Sequence, residues 1–141
     1  MNTSHRFAVG VHIMALLASI EGPVPSSMIA GSVNTNPAMI RRILGMLNKA
    51  GLTTATMGSA GGAVLARSAA QISLLEIYRA VDEPGVLALH ASAPNPACEV
   101  GKGITVVLEG LIARAESAME AVIAGISVQD VVKDILGKTK Y

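Results

Sequence analysis

Asn36-Pro37-Ala38-Met39-Ile40-Arg41-Arg42-Ile43-Leu44-Gly45-Met46-Leu47-Asn48-Lys49-Ala50-Gly51 carries a complete set of helix punctuation. Asn36 is a residue type that caps a helix start, Pro37 suits the first helical position, and Gly51 suits the residue past the end. Between them Ile40, Ile43, Leu44 and Leu47 recur at helical spacing on one side, while Ala38, Arg41, Arg42, Gly45 and Lys49 gather on the other. Such a helix buries one stripe and turns a narrow basic face outward.

On the N-terminal side a shorter helical pattern runs from about Ser26 to Val33, and Asn34-Thr35-Asn36-Pro37 makes the turn between the two. On the C-terminal side Leu52 to Met57, with Thr53, Thr54 and Thr56, reads as a strand. Gly58-Ser59-Ala60-Gly61-Gly62 then turns the chain, and Ala63-Val64-Leu65-Ala66 returns. Two short helices followed by a glycine-rich hairpin, all between Pro25 and Leu65, predict a winged helix-turn-helix, a module for holding double-stranded DNA.

The flanking segments complete the expectation. A first helix is expected over Ser4 to Glu21, capped by Ser4, with Val9, Ile13, Leu16, Leu17 and Ile20 inward and Gly22-Pro23 as its stop. Ser73-Leu74-Leu75-Glu76 is a capping box that starts a helix running to about Val81. Residues 83–103, with Pro84, Pro94, Pro96, Gly85, Gly101 and Gly103, have no period and are expected to form an irregular connector containing Cys98. From Ile104 to Ala124, Ile104, Val107, Leu108, Leu111, Ala115, Ala118, Met119 and Val122 recur at three-four spacing. A helix of about 20 residues is roughly 30 Å long. That is more than a compact monomer of this size needs, and its seam is suited to pairing with its own copy, with Ile104, Val107, Leu108, Leu111, Ala115 and Met119 as the candidate dimer interface. Ser127-Val128-Gln129-Asp130 caps a short terminal helix through Leu136. The expected organisation is therefore a DNA-binding region over 1–82, a connector over 83–103 and a dimerisation helix with a terminal helix over 104–141, in one structural unit.

Composition agrees with a mainly α fold. The chain has 141 residues, 51% of them hydrophobic but only 2% aromatic, with seven methionines, which suits aliphatic packing between helices better than a large sheet. The net charge of +1 conceals an asymmetry. Residues 1–67 hold Arg6, Arg41, Arg42, Lys49 and Arg67 against Glu21 alone, net +4, whereas the remainder holds six basic and nine acidic residues, net −3. A polyanion partner is expected for the first part only. Phe7 to Ile20 is apolar apart from His12, but at 14 residues is too short to span a bilayer. A signal peptide is the competing reading of that run, and no small-x-small cleavage site followed by a fresh domain start supports it. The single cysteine, Cys98, rules out an intrachain disulfide framework and suits a reducing cytoplasm.

Several side chains are candidates for chemistry. Arg41 and Arg42 match guanine edges or phosphates in bidentate geometry, unless they form only a solvated face. Thr35 and Asn36, at a helix start, are placed for phosphate, although Asn36 also serves as a cap. Ala38 and Lys49 share the outward face, and Gly61 and Gly62 permit close backbone approach to phosphate. Cys98 has Lys102 to favour its thiolate and Glu99 to oppose it, and oxidation there is the candidate switch against an inert thiol. His12, His90 and Cys98 lack metal-ligand spacing, so no metal is expected. Glu109, Glu116 and Glu120 follow helix-surface spacing. No phosphate loop follows a strand and no nucleophile elbow occurs, so the chain is not expected to be an enzyme.

The chain resembles the Rrf-two family of bacterial winged-helix transcription regulators, which includes iron-sulfur, nitric-oxide-sensing and cysteine-metabolism repressors. The resemblance is carried by Arg6-Phe7-Ala8-Val9 with His12, by Asn34 to Pro37 and Arg41 to Leu44, by Lys49-Ala50-Gly51-Leu52, and by Gly58 to Arg67. It continues through Ile72 to Val81 and through Asn95-Pro96 with Cys98-Glu99-Val100-Gly101. It implies a homodimer joined through the long helix, two reading heads in successive major grooves, wings near the minor groove, and a near-palindromic operator. Family members often hold an iron-sulfur cluster on three connector cysteines. Only Cys98 stands here, and no cofactor is expected. The family's wing commonly has a basic residue, three glycines and an aromatic, where this chain has Met57, Ser59-Ala60 and Ala63.

Two functions follow. The first is a cytoplasmic, homodimeric, sequence-specific repressor that responds to thiol oxidation at Cys98. The second keeps the fold but makes the dimer chiefly a receiver of a metabolite or protein partner, with DNA binding secondary.

Overall fold

The computed structural model describes residues 5–81 and 85–138. The elements run α1 (Arg6–Ser19), α2 (Ser26–Val33), α3 (Pro37–Lys49), β1 (Thr53–Thr56), β2 (Gly62–Leu65), a single 3-10 turn (Ala69–Gln71), α4 (Leu74–Ala80), α5 (Glu99–Ala124) and α6 (Val128–Lys138). The described residues of 1–83 and 123–141 form one unit, the head, and those of 84–122 form a second.

The core of the head is aliphatic and contributed by every helix in it. Ile13 and Met14 of α1, Ile29 of α2, Ile40, Ile43 and Leu47 of α3, Ile77 of α4 and Val128 of α6 are fully or almost fully buried. Val24, Leu52, Ile72 and Val81, from the segments between helices, close it. The inward face of α1 differs from the sequence expectation. Val9, Ile13 and Leu17 are buried, but Leu16 and Ile20 are only partly so, and Gly10, Met14 and Ala15 are buried instead. Gly10 is there because α4 comes close, since a Cβ on it would lie 3.0 Å from Ile77 Cγ2. Edge-to-face contact between Phe7 and Tyr78, with ring centroids 5.8 Å apart, joins the same two helices. Helix α1 also ends at Ser19, before the expected Glu21, because Ile20 is extended and the Ser19 hydroxyl donates back to the Ala15 carbonyl. The expected cap, Ser4, lies outside the described residues.

Helix α6 belongs to the head, whereas the sequence grouped it with the long helix. Ser73 and Ser127 pair as an antiparallel bridge, with Leu74 N–H donating to Ile126 O and Val128 N–H donating to Ile72 O, both at 2.9 Å. Each serine starts a helix. Ser73 Oγ accepts from Glu76 N–H and Ser127 Oγ accepts from Asp130 N–H, and each acid accepts in turn from its serine's N–H. Two capped helix starts, clamped side by side, carry α6 back to α1.

The connector is shorter than its glycines and prolines suggest, because α5 starts at Glu99, five residues before Ile104. Gly101 and Gly103 therefore lie inside a helix. At Gly101 the reason is close approach, since a Cβ would lie 2.5 Å from the Asn95 carbonyl oxygen. That carbonyl accepts from Cys98 N–H, and Asn95 Oδ1 accepts from Ala97 N–H at 2.9 Å, so the Asn95–Cys98 turn folds against the helix start. Helix α5 has 26 residues and none of them is buried.

Glu76 also pairs with the Arg67 guanidinium. Partial burial raises its pKa, but Arg67 and the two Ser73 donors outweigh this and hold it below the ordinary carboxylate value. The stabilisation is therefore complete above the unfolded-state value of about 4.3 and is lost as pH falls through the lower folded value. Ser73→Ala should cost about 1 kcal/mol in denaturant unfolding. In thermal melts at a series of pH values, Glu76→Gln should be less stable than wild type at neutral pH, and that gap should close on acidification.

Candidate nucleic-acid interface

The turn into α3 is built from asparagines. Asn34 takes a left-handed conformation, with φ of 63°, and its N–H and that of Thr35 both donate to the Ala30 carbonyl, which ends α2. Asn36 is extended and its Oδ1 accepts from Met39 N–H at 2.9 Å, capping α3 with Pro37 at the first turn. Burial of Ile40, Ile43 and Leu47 then sets the rotation of α3 and leaves Asn36, Ala38, Arg41, Arg42, Gly45 and Lys49 exposed along it, with Thr35 half-buried before it. Leu44, assigned to the inward stripe, is partly buried. Among the described residues no ion pair involves Arg41, Arg42 or Lys49. Arg67, counted with them in the basic first part of the chain, is spoken for by Glu76.

The wing is held close to this face. Strands β1 and β2 pair antiparallel, with Thr53 opposite Leu65 and Thr56 opposite Gly62. A further residue joins them: Val24 and Ala63 exchange both backbone hydrogen bonds, at 3.0 and 2.9 Å, so the base of the wing is tied to the segment entering α2. Asn48 Nδ2 donates to the Thr53 carbonyl at 3.3 Å and ties the end of α3 to β1. A groove of about 530 Å³ lies between α3 and the wing, lined by Arg41, Leu44, Gly45, Asn48 and Ser26 on one side and by residues 53–57 on the other.

Gly61 and Gly62, candidates for approach to phosphate, have internal reasons to be glycine. A Cβ on Gly61 would lie 2.1 Å from the Thr56 carbonyl oxygen, and one on Gly62 would lie 2.4 Å from the Val24 carbonyl. Their missing side chains let the hairpin close and let Val24 dock. Ser26, Thr54, Thr56 and Met57 line the groove and were not among the sequence candidates. The i, i+2 spacing of Thr54 and Thr56 was the signal that could have found two of them. Val24 left no such signal, because its partner, Ala63, is distant in sequence.

Cys98 sits immediately before α5 and is exposed. The backbone amides of Gly101 and Val100 hold its pKa below that of an ordinary thiol. Neither Lys102 nor Glu99, the flanking charges of the sequence argument, is among the causes. His12 donates to or accepts from the Ser32 hydroxyl at 2.9 Å. Among the described residues no three His, Cys, Asp or Glu side chains come together.

Two helices joined by a tight turn, a second helix with an exposed basic face, and a hairpin wing beside it define a winged helix-turn-helix head. The chain belongs to the Rrf2 family, whose model, described as iron-dependent transcriptional regulator, matches residues 3–134, and it is a transcriptional regulator and not an enzyme. It is 41% identical over 130 residues to YwnA of Bacillus subtilis (strain 168), which is named as an HTH-type transcriptional regulator, and the match spans 92% of this chain and 96% of that one. Its fold resembles that of CymR, the global cysteine regulator of B. subtilis, with TM-score 0.70 and 25% identity over 94% of this chain and 97% of CymR. It also resembles T. potens IscR, with TM-score 0.72 and 28% identity over 96% of this chain and 88% of that one. A cluster held by three thiolates does not fit the donors here, because Cys98 is the one cysteine of the sequence.

Gly62→Ala forces either Val24 or the hairpin to move, because backbone atoms and no flexible side chain stand in the way. It should destabilise the head by about 1 to 3 kcal/mol in denaturant unfolding.

Proposed function

We propose that this chain is a homodimeric, sequence-specific DNA-binding repressor of the cytoplasm. The observation that carries the reading is the exposed, unpaired cationic face of α3, with Arg41, Arg42 and Lys49 beside the wing groove. Seated in a major groove, this face gives Arg41 and Arg42 access to guanine edges, while Lys49 and Thr35 meet phosphates. Asn36 spends its side-chain oxygen on the cap, which leaves its NH2 group for phosphate. Ala38 and Gly45 keep the face low enough for close approach, and Gly61 and Gly62 contribute through the shape of the wing.

Helix α5 supports the dimeric part of the reading. Val100, Val106, Val107, Leu111 and Val122 are exposed large apolar side chains on a helix about 39 Å long, and an equivalent helix of a second copy would cover such a surface. Ile104, Leu108, Ala115 and Met119 complete the proposed seam. A two-fold dimer places two α3 helices one turn of duplex apart, which calls for a near-palindromic operator.

Cys98 supplies the proposed switch. A thiol at the start of α5, favoured as thiolate by backbone amides and open to solvent, is suited to oxidation, and a change there acts on the helix that joins the protomers. The competing reading, a dimer that chiefly senses a metabolite or partner, draws on an apolar groove of about 580 Å³ lined by Phe7, Val11, Leu16, Leu74, Val131 and Ile135. A ligand that raises the melting temperature, together with sequence-independent DNA binding, would favour it.

Selection of bound duplexes from a random pool should return a near-palindromic sequence, and affinity for it should fall steeply with salt. Arg41→Ala and Arg42→Ala should each weaken binding by about 1 to 3 kcal/mol if each makes a bidentate base contact. Equal affinity for every sequence would overturn the repressor reading. Alkylation of Cys98 followed against pH should reach half its maximal rate below the ordinary thiol value of about 8.5, and Cys98→Ser should abolish any response to oxidant while keeping DNA binding in the reduced state.

A further inference from the structure

We infer that Met57 is the wing's contact with the duplex, an apolar side chain that enters the groove beside the one occupied by α3 and presses on sugar edges and a base-pair step. The inference rests on the DNA-binding reading above and adds to it how the wing binds.

Three observations point to Met57. It is 89% exposed, more than any other large apolar side chain among the described residues. It lies on the side of the wing that faces the recognition helix, because it lines the same groove as Arg41, Leu44 and Gly45. The turn that carries it is closed by backbone contacts. Gly58 takes a φ of +103°, Gly61 N–H donates to the Gly58 carbonyl at 3.0 Å, and Gly61 closes against the Thr56 carbonyl with no room for a side chain. Below the tip the Val24–Ala63 pair anchors the hairpin.

The chemistry of the tip then selects the kind of contact. Met57-Gly58-Ser59-Ala60-Gly61 has no charged side chain, so this wing neutralises no phosphate and releases no counterion. An unbranched thioether at this turn instead offers adaptable apolar surface. Methionine is among the apolar side chains that enter between base steps in the minor groove, where they unstack the step and bend the duplex. The energy comes from removing methionine surface from water, and the cost depends on how readily the step deforms. Selectivity from this contact therefore falls on flexible pyrimidine–purine steps at positions that α3 does not touch.

The test uses the full-length protein and the duplex selected from the random pool, with binding measured over a range of salt. Met57→Ala should weaken specific binding by about tenfold and leave the slope of log affinity against log salt unchanged. Met57→Lys should steepen that slope by about one phosphate equivalent. Replacing the flexible step opposite the wing by a stiff A-tract should cost wild type more affinity than it costs Met57→Ala. Equal affinity of wild type and Met57→Ala, or a slope that Met57→Lys does not change, would overturn the inference. The parent reading fails separately. If the Arg41→Ala, Arg42→Ala double variant binds as tightly as wild type, DNA binding by α3 is wrong; if it loses binding while Met57→Ala does not, only the wing inference falls.

Discussion

The head depends on burial of one stripe of α3. Ile40, Ile43 and Leu47 are taken wholly out of water, and each is worth about 1.5 to 3 kcal/mol of transfer free energy. They share a core with side chains from α1, α2, α4 and α6. A helix anchored through one stripe cannot rotate without exposing it. The same burial that stabilises the head therefore sets where Arg41, Arg42 and Lys49 point, and places three unpaired cations on one exposed face.

The other elements serve to hold that face against its surroundings. The Asn34–Pro37 turn uses a left-handed asparagine to end α2 and a capping asparagine to begin α3, so the angle between these helices follows from two side chains with different backbone preferences. At the far end Asn48 ties α3 to β1, and Val24 ties the wing to the start of α2. Gly62 is required by that second tie. The wing is thus a continuation of the head's hydrogen bonding, and its turn is closed by backbone contacts and not by charge.

Helix α6 returns to the head through a backbone bridge between two capped helix starts. Because α6 lies against α1 while α5 remains without a buried residue, the chain separates apolar surface used within the head from apolar surface left on the arm. Cys98 stands at the N-terminal end of that arm, where the amides of the first turn act on it. Its shift follows from the amides of Gly101 and Val100, and neither Glu99 nor Lys102 is among its causes.

Local rules were enough for much of this. The caps at Asn36, Ser73 and Ser127, the span of α2, the hairpin, the apolar stripe of α3 and its basic face all depend on residues within a turn or two of one another, and were legible from spacing alone. Other features were not, because they depend on how one segment of the chain closes on another. Gly101 reads locally as a helix breaker, yet it lies within α5, where the Asn95 carbonyl occupies the space a side chain would need. Arg67 reads as a free cation until Glu76 is brought to it. Gly62 reads as a loop residue until Val24 pairs with Ala63. The outward position of Met57 is implied by the hairpin, but its place beside Arg41 is not. The sequence by itself determined the elements and the sign of the recognition face, since propensity, capping and periodicity are local. Only the tertiary structure decided which charges remain unpaired, which glycines make room for backbone, and what the wing presents, since these follow from close approach between segments that no local pattern records.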